Sequence, residues 1–425
     1  MAPVSTSTGT TDLRITLHKE GARQYTRMSY PLHCGIFSEI ETRSWLLHFN
    51  LNNEIIRAKG RTRDWPHPHE WLKRTMGNDW IYYSTGGYTG VYEATGEYYL
   101  PNLPYRTNGL LGGKPFDDQA VTELITGWPQ SLRQLIETSR ELPEETEHFL
   151  ASALANDPET LAAKADRLFS ICGGRSTVLP PDARHVDYNV IPITIATGCL
   201  YKCRFCEVKN KRPFKPCNAT EISDQIKGLK QVYGRDLTNY NALFFGEHDG
   251  LQAGAGQILA ALDQACHHFA FACGYVRGCN LFMFGSVTSL LNTPDSFFTA
   301  IEQRPCSVYI NIGLESADQA TLDRLGKPLT SALVDETFRR IQDINDRYQQ
   351  TEITANFVFD DDLPANHLTS FLRLVRDGLP RVKPKGCVYL SPLRFGQPSR
   401  SQLFAFNRLK VLSRVPTFLY IIQRL

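Results

Sequence analysis

The spacing of apolar and polar positions changes character near residue 185 and splits the chain in two. Upstream, from Leu13 to about Tyr105, short aromatic runs such as Trp45-Leu-Leu-His-Phe-Asn-Leu and Trp80-Ile-Tyr-Tyr, the latter followed by Gly86-Gly87, read as strands joined by tight turns. Between Pro115 and Cys172 helix formers take over, in Gln130 to Arg140, Pro143 to Leu154 and Pro158 to Phe169. The last two open on Pro-Glu, which suits a first helical turn. Gly173-Gly174 and Pro180-Pro181 then punctuate the chain.

Downstream the pattern alternates strand and helix. Apolar strand candidates begin near Val190, Asn241, Asn280, Ser307, Glu352 and Gly386, with helix-like stretches at Ile222 to Val232, Ala253 to His268, Ser331 to Tyr348 and Asn366 to Arg376. Roughly 200 residues at about 35 per strand–helix unit make about six units, too few to complete an eight-stranded barrel. The expected fold is α/β: an open, partial (β/α)6 TIM-type barrel over 186–395, preceded by a mixed α+β region over 13–185. A disordered tail over 1–12 and a C-terminal helical cap over 396–425 complete the expected organisation.

Composition narrows the function classes. The 425 residues carry 46 Lys and Arg against 44 Asp and Glu, a net charge of +2, so no bulk electrostatic case exists for nucleic acid or an anionic membrane. The Ser/Thr-rich start, Met1 to Thr11, lacks the apolar core of a secretory signal, and no run reaches transmembrane length. A cytoplasmic protein is expected. Its 11 cysteines are spread unevenly, which favours reduced thiols and metal ligation over disulfides.

Three of them form Cys199-Leu-Tyr-Lys-Cys203-Arg-Phe-Cys206, directly after the strand-like run Val190 to Ala196. Three thiolates on one loop can hold three irons of a cubane and leave the fourth open to a small molecule. Cys217 is the candidate fourth ligand, and its use would close the site as a structural zinc or a non-catalytic iron–sulfur centre. The spacing CxxxCxxC with Phe205 before the last cysteine resembles the signature of the radical S-adenosylmethionine (radical SAM) enzymes, over roughly residues 188 to 395. That resemblance implies a [4Fe–4S] cluster on Cys199, Cys203 and Cys206, SAM chelated to its open iron, and a one-electron donor such as flavodoxin or ferredoxin. It also implies the partial barrel reached above from the spacing of strands.

In parallel α/β barrels chemistry collects at the C-terminal ends of the strands. The second end, Leu243-Phe-Phe-Gly246-Glu247-His248, resembles the family's Gly-Gly-Glu motif, with Phe245 at its first glycine; Gly246 and Glu247 are the implied contacts to the methionyl ammonium of SAM. Ser286 closes the third strand where the family places a polar contact. Gly313-Leu-Glu315-Ser316 followed by Leu325-Gly-Lys327 resembles the run found in relatives of oxygen-independent coproporphyrinogen oxidases and methylthiotransferases. By that match Glu315 and Ser316 face the SAM ribose and Lys327 its carboxylate, with Ser316 also able to cap the helix beginning near Asp318. Asn356 matches a further polar SAM contact.

Other groups have plainer readings. Asp360 to Asp362 read as a solvated acidic turn, and Trp65-Pro-His-Pro-His-Glu-Trp71 as a loop. Lys209, Lys211, Arg212 and Lys215 around Phe214 read as a solvated basic loop, with RNA contact as the alternative. Cys266, Cys273 and Cys279 read as structural thiols. Ser391 and Arg394 are substrate-side candidates. With no RNA-binding module evident at the C-terminal end, the expected substrate is a small molecule or peptide, and nucleic acid is not expected.

Overall fold

A computed structural model describes residues 4–7, 13–26, 33–86, 90–104, 114–139, 142–176, 178–206, 213–393 and 400–425. The first half is an antiparallel sheet whose strands pair in chain order: β1 (Val4–Ser7), β2 (Leu13–Glu20), β3 (Ile36–Thr42), β4 (Trp45–Phe49), β5 (Ile55–Gly60), β6 (Trp71–Arg74), β7 (Trp80–Ser84) and β8 (Leu100–Asn102). The short helix α1 (Val91–Thr95) links the last two strands. Strand alternation gives the sheet two buried faces. Leu47, Phe49, Ala58, Leu72 and Tyr82 pack under α2 (Gln119–Thr138) and α3 (Glu144–Ala155), whereas Trp71, Ile81 and Tyr83 form a separate cluster on the opposite side.

Two expectations are corrected here. Val4–Ser7, assigned to a disordered tail, pairs antiparallel with β2 from Val4↔Leu17 to Ser7↔Arg14. Helix α2 starts at Gln119, eleven residues before the expected start, because Asp118 caps it by accepting the Ala120 and Val121 N–H groups, and Pro129 lies inside it.

Helix α4 (Pro158–Ile171) leads into a sheet of seven strands, all parallel: β9 (Ile191–Thr194), β12 (Ala242–Gly246), β13 (Asn280–Gly285), β14 (Ser307–Glu315), β15 (Thr351–Phe359), β16 (Val388–Pro392) and β17 (Thr417–Leu419). They lie side by side in chain order, and the edge strands β9 and β17 do not pair with each other. The two-residue strands β10 (Ala196–Thr197) and β11 (Lys215–Pro216) form a small ribbon that pins the base of the cysteine loop. Helices α5 (Ala219–Tyr233), α6 (Ala255–His268), α7 (Val287–Asn292), α8 (Asp295–Glu302), α9 (Gln319–Leu325), α10 (Ser331–Arg347), α11 (His367–Leu372) and α12 (Arg400–Leu412) lie along the connections.

The six expected strands are present, and a seventh joins them. The segment expected as part of a helical cap contributes β17, parallel to β16 from Val388↔Thr417 to Leu390↔Leu419. Its β-branched and aromatic residues suit an extended edge. Along the strands Leu243, Leu281, Ile310, Ile353 and Leu390 share one large core with the helices. Their neighbours in alternation, including Phe244, Phe282 and Tyr309, belong to a second cluster on the other face.

That second cluster also takes in Ala183, Val186 and Tyr188 from the 3₁₀ segment Pro181–Val186 and the residues after it, so the expected boundary at 185 cuts through the inner packing. Asp182 is fully buried there and accepts hydrogen bonds from the hydroxyls of Thr354 (2.7 Å) and Tyr389 (2.8 Å). The same segment is tied to the first sheet. Arg184 donates to the Thr95 carbonyl (2.8 Å), Tyr83 to Asp187 (3.0 Å), and Tyr188 to Glu97 (2.6 Å).

Burial pushes the Asp182 carboxyl up to about 6, against the hydrogen bonds that favour its charged form. A folded-state pKa above the unfolded value gives stability that is fully present below pH 3.8 and is lost as the pH climbs through about 6. Asp182→Asn removes this titration. The stability difference should therefore move in the variant's favour by roughly 3 kcal/mol between about pH 4 and about pH 7. Urea unfolding of both proteins across that range measures it, and a pH-independent difference would remove Asp182 as the titrating group.

Candidate active site

The cysteine loop leaves the sheet after β9 and returns through β11, with the Cys217 N–H donating to the Ile195 carbonyl at 2.9 Å. Its tip is fixed from across the sheet. The Arg204 N–H donates to Leu325 O (3.0 Å), the Arg204 guanidinium to Asp323 O (2.6 Å), and the Tyr201 hydroxyl bonds Thr288 Oγ1 (2.6 Å). These contacts hold Cys199, Cys203 and Cys206 against one cavity of about 270 Å³.

Strand ends supply the rest of the wall: Glu247 after β12, Ser286 after β13, Gly313 and Glu315 on β14, Asn356 on β15, and Ser391 on β16. Tyr420 and Ile422, just beyond β17, line the same cavity. One small space is thus bordered from both edges of the sheet, which requires the sheet to curl around it.

The strongest electrostatic feature is a buried pair. Lys327 Nζ donates to Glu315 Oε1 at 3.1 Å, and its ammonium also lies 5.3 Å from the centroid of the Tyr201 ring. Burial acts to lower the Lys327 pKa, but Glu315 and the nearby Cys203 sulfur outweigh it, and the net shift is upward. The lysine is therefore charged at neutral pH. Burial pushes the Cys203 thiol up to about 11 despite the opposing effect of Lys327, so metal uptake at this position must displace a proton. Gly313 makes room for the pair: a Cβ there would fall 2.5 Å from Glu315 Oε1 and 3.2 Å from Lys327 Nζ.

Of the cluster and SAM contacts implied by the resemblance, Cys199, Cys203, Phe205, Cys206, Glu247, Ser286, Glu315, Lys327 and Asn356 line this cavity, and Gly246 and Ser316 do not. Ser316 is completely buried and turned away. Its hydroxyl bonds His367 Nδ1 (2.8 Å) and accepts the Asp318 N–H (3.0 Å), while His367 Nε2 donates to Val358 O (2.9 Å). The cap of α9 is Asp318 itself, which accepts the Thr321 N–H. Gly246 lies behind the wall, where its carbonyl accepts the Ile195 N–H and an added Cβ would meet the Phe244 ring at 2.8 Å. The hydroxyl of Ser286 is occupied in a reciprocal capping arrangement with Ser289 at the start of α7.

Sequence reading also passed over lining residues. Asn311 exchanges hydrogen bonds with Asn356 and donates to Thr354, joining the wall to Asp182 below. Its inward alternation with Tyr309 and Gly313 was the available signal. Asp249 accepts the Ser286 N–H (3.1 Å) and the Ser289 hydroxyl (2.8 Å), and holds that turn at the cavity edge. Arg394, Lys209, Lys211 and Arg212 lie outside the described residues.

Two metal centres are open to this donor set, a single ion and a cubane. Among the described residues no group of three His, Cys, Asp or Glu side chains is arranged around a single ion. A cubane takes one thiolate on each of three irons, and three cysteines of one loop line one cavity, which is the donor set such a cluster needs. Cys217 does not line the cavity. Its side chain packs against the helix-side core, and its carbonyl accepts from Gln257 (2.9 Å).

No protein-family model and no curated protein matches the chain. Solved structures do. One is the apo, SeMet-labelled form of the cobalamin-dependent S-adenosylmethionine radical enzyme OxsB, at 15% identity over 44% of this chain and 26% of that one, with a TM-score of 0.32. A radical SAM methyltransferase from Sphaerobacter thermophilus matches at 17% identity over 54% of this chain and 65% of that one, TM-score 0.34. Methylornithine synthase (PylB) matches at 13% identity over 67% of this chain and 73% of that one, TM-score 0.34. The chain thus spans 26% of the OxsB chain and less than two thirds of the methyltransferase.

Proposed function

We propose that the chain is a radical SAM enzyme acting on a small molecule or peptide. The observation that carries this reading is the convergence of Cys199, Cys203 and Cys206 with Glu247, Glu315, Lys327 and Asn356 on one cavity at the C-terminal ends of parallel strands. A [4Fe–4S] cluster held by Cys199, Cys203 and Cys206 would, when bound together with SAM, supply one-electron reductive cleavage of the sulfonium and hydrogen abstraction from the substrate.

The protein's own groups have the following parts. The three cysteines bind iron as thiolates. Glu247 accepts the methionyl ammonium of SAM, a charge-assisted contact. Lys327 has three donors, so it keeps Glu315 and holds the SAM carboxylate with another. Glu315 accepts from the ribose hydroxyls, and Asn356 orients a polar edge of the cofactor. The wall away from the cysteine loop, with Phe244, Val358, Leu393, Tyr420 and Ile422, carries no charge among its described residues. It suits the uncharged part of a substrate and keeps water from the reacting atoms. A one-electron donor such as flavodoxin or ferredoxin completes the reading.

Protein reconstituted anaerobically with iron and sulfide, then given SAM and dithionite, is expected to release 5′-deoxyadenosine, read by chromatography. A preparation holding about four irons per chain that releases none above the dithionite-free control would sink the reading. Zinc bound through Cys217 would replace it with a closed, non-catalytic site.

A further inference from the structure

Three thiols lie together away from the cavity, on the helix-facing side of the sheet. Cys279 and Cys306 immediately precede β13 and β14, whose register pairs Asn280 with Ser307, and the Ser307 N–H donates to Cys279 O at 2.9 Å. Neighbouring strands run about 4.8 Å apart, inside the range of roughly 4.4–6.8 Å between the Cα atoms of a disulfide. The sulfurs of Cys279 and Cys306 are 2.8 Å apart, and Cys266, in the last turn of α6, brings its sulfur to 3.3 Å from Cys279. Exposure is graded across the three: Cys266 and Cys279 are partly accessible, and Cys306 is buried at 3%. The sequence had suggested Cys273 as a member of this group; it is exposed, and Cys306 takes its place.

We propose that these thiols form a disulfide relay, which accepts oxidising equivalents from a small-molecule disulfide at Cys266 and stores them as a Cys279–Cys306 bond. The Cys266 thiolate attacks one sulfur of the small disulfide, forming a mixed disulfide and releasing one small thiol. Cys279 then attacks Cys266 Sγ and releases the second. Cys306 attacks Cys279 Sγ, and Cys266 leaves as a thiol. Two protein thiols are oxidised to one disulfide while one small disulfide is reduced to two thiols, with two electrons and two protons transferred. The hydrogen bond to Cys279, with burial, holds the Cys266 thiol above its ordinary range, so the first exchange accelerates as pH rises. The bond staples the N-terminal starts of two strands whose opposite ends border the cavity.

The test is to incubate the full chain anaerobically with oxidised glutathione, quench with acid, alkylate free thiols and map peptic peptides without reduction. A Cys279–Cys306 link should accumulate after an early glutathione adduct at Cys266. In Cys266→Ser the link should form about tenfold more slowly, and in Cys306→Ser oxidation should stop at Cys266–Cys279. Alkylation of all three thiols while exposed Cys273 carries glutathione would overturn the proposal, as would an unchanged rate in Cys266→Ser. The wild-type map alone decides whether the link exists, whatever the fate of the variants.

Discussion

Replacing Cys199, Cys203 and Cys206 by alanine is expected to bring iron from about four per chain to background and to end 5′-deoxyadenosine release, whereas Cys217→Ala should keep both. The contrast rests on position. The first three line the cavity, and Cys217 packs in the helix-side core. Iron and sulfide assays with the visible spectrum of each reconstituted variant give the readout. Loss of the cluster in Cys217→Ala alone would mean that the loop closes on a fourth thiolate, and the open coordination position would go with it.

Lys327→Met should damage stability and binding together. It strands the Glu315 carboxylate, whose side chain is 11% exposed, without its partner, and breaking such a pair costs roughly 3–5 kcal/mol. Losing a charge-assisted contact to the SAM carboxylate should weaken affinity about ten- to a hundredfold, the equivalent of roughly 1.5–3 kcal/mol. The double variant Lys327→Met/Glu315→Gln separates these effects, because the neutral amide no longer carries a buried charge. Its unfolding midpoint should return most of the way while SAM affinity, measured by calorimetry on the reconstituted protein, stays low. Affinity that returns with stability would show Lys327 to be structural only.

Much of the parallel sheet was legible because each strand carries its own signature. Val190, Asn241, Asn280 and Ser307 mark strand starts to within a residue, since the apolar runs there are short, continuous and bounded by turn residues. The cysteine loop was legible for the same reason: its spacing is local. What sequence could not supply is whatever depends on distant partners. Glu315 and Lys327 were assigned separate contacts, and their pairing becomes visible only when β14 and the end of α9 are brought together. Ser316 looked like a ligand contact until His367, 51 residues on, claimed its hydroxyl. Asp182 bonds Thr354 and Tyr389 across 172 and 207 residues, a separation that no periodicity records.

The Pro181–Val186 segment has a consequence for how the two sheets hold together. Packed beneath the inner aromatic layer with Phe244, Phe282 and Tyr309, and anchored through Asp182, it makes a floor. The cavity meets that layer at Phe244 and Phe284. The floor is nailed to the first sheet by Tyr83, Glu97 and Thr95. A shortened chain beginning at residue 186 would lose Asp182 and Arg184 and with them the bonds to Thr354, Tyr389 and Thr95, so the antiparallel half serves the parallel sheet as its foundation.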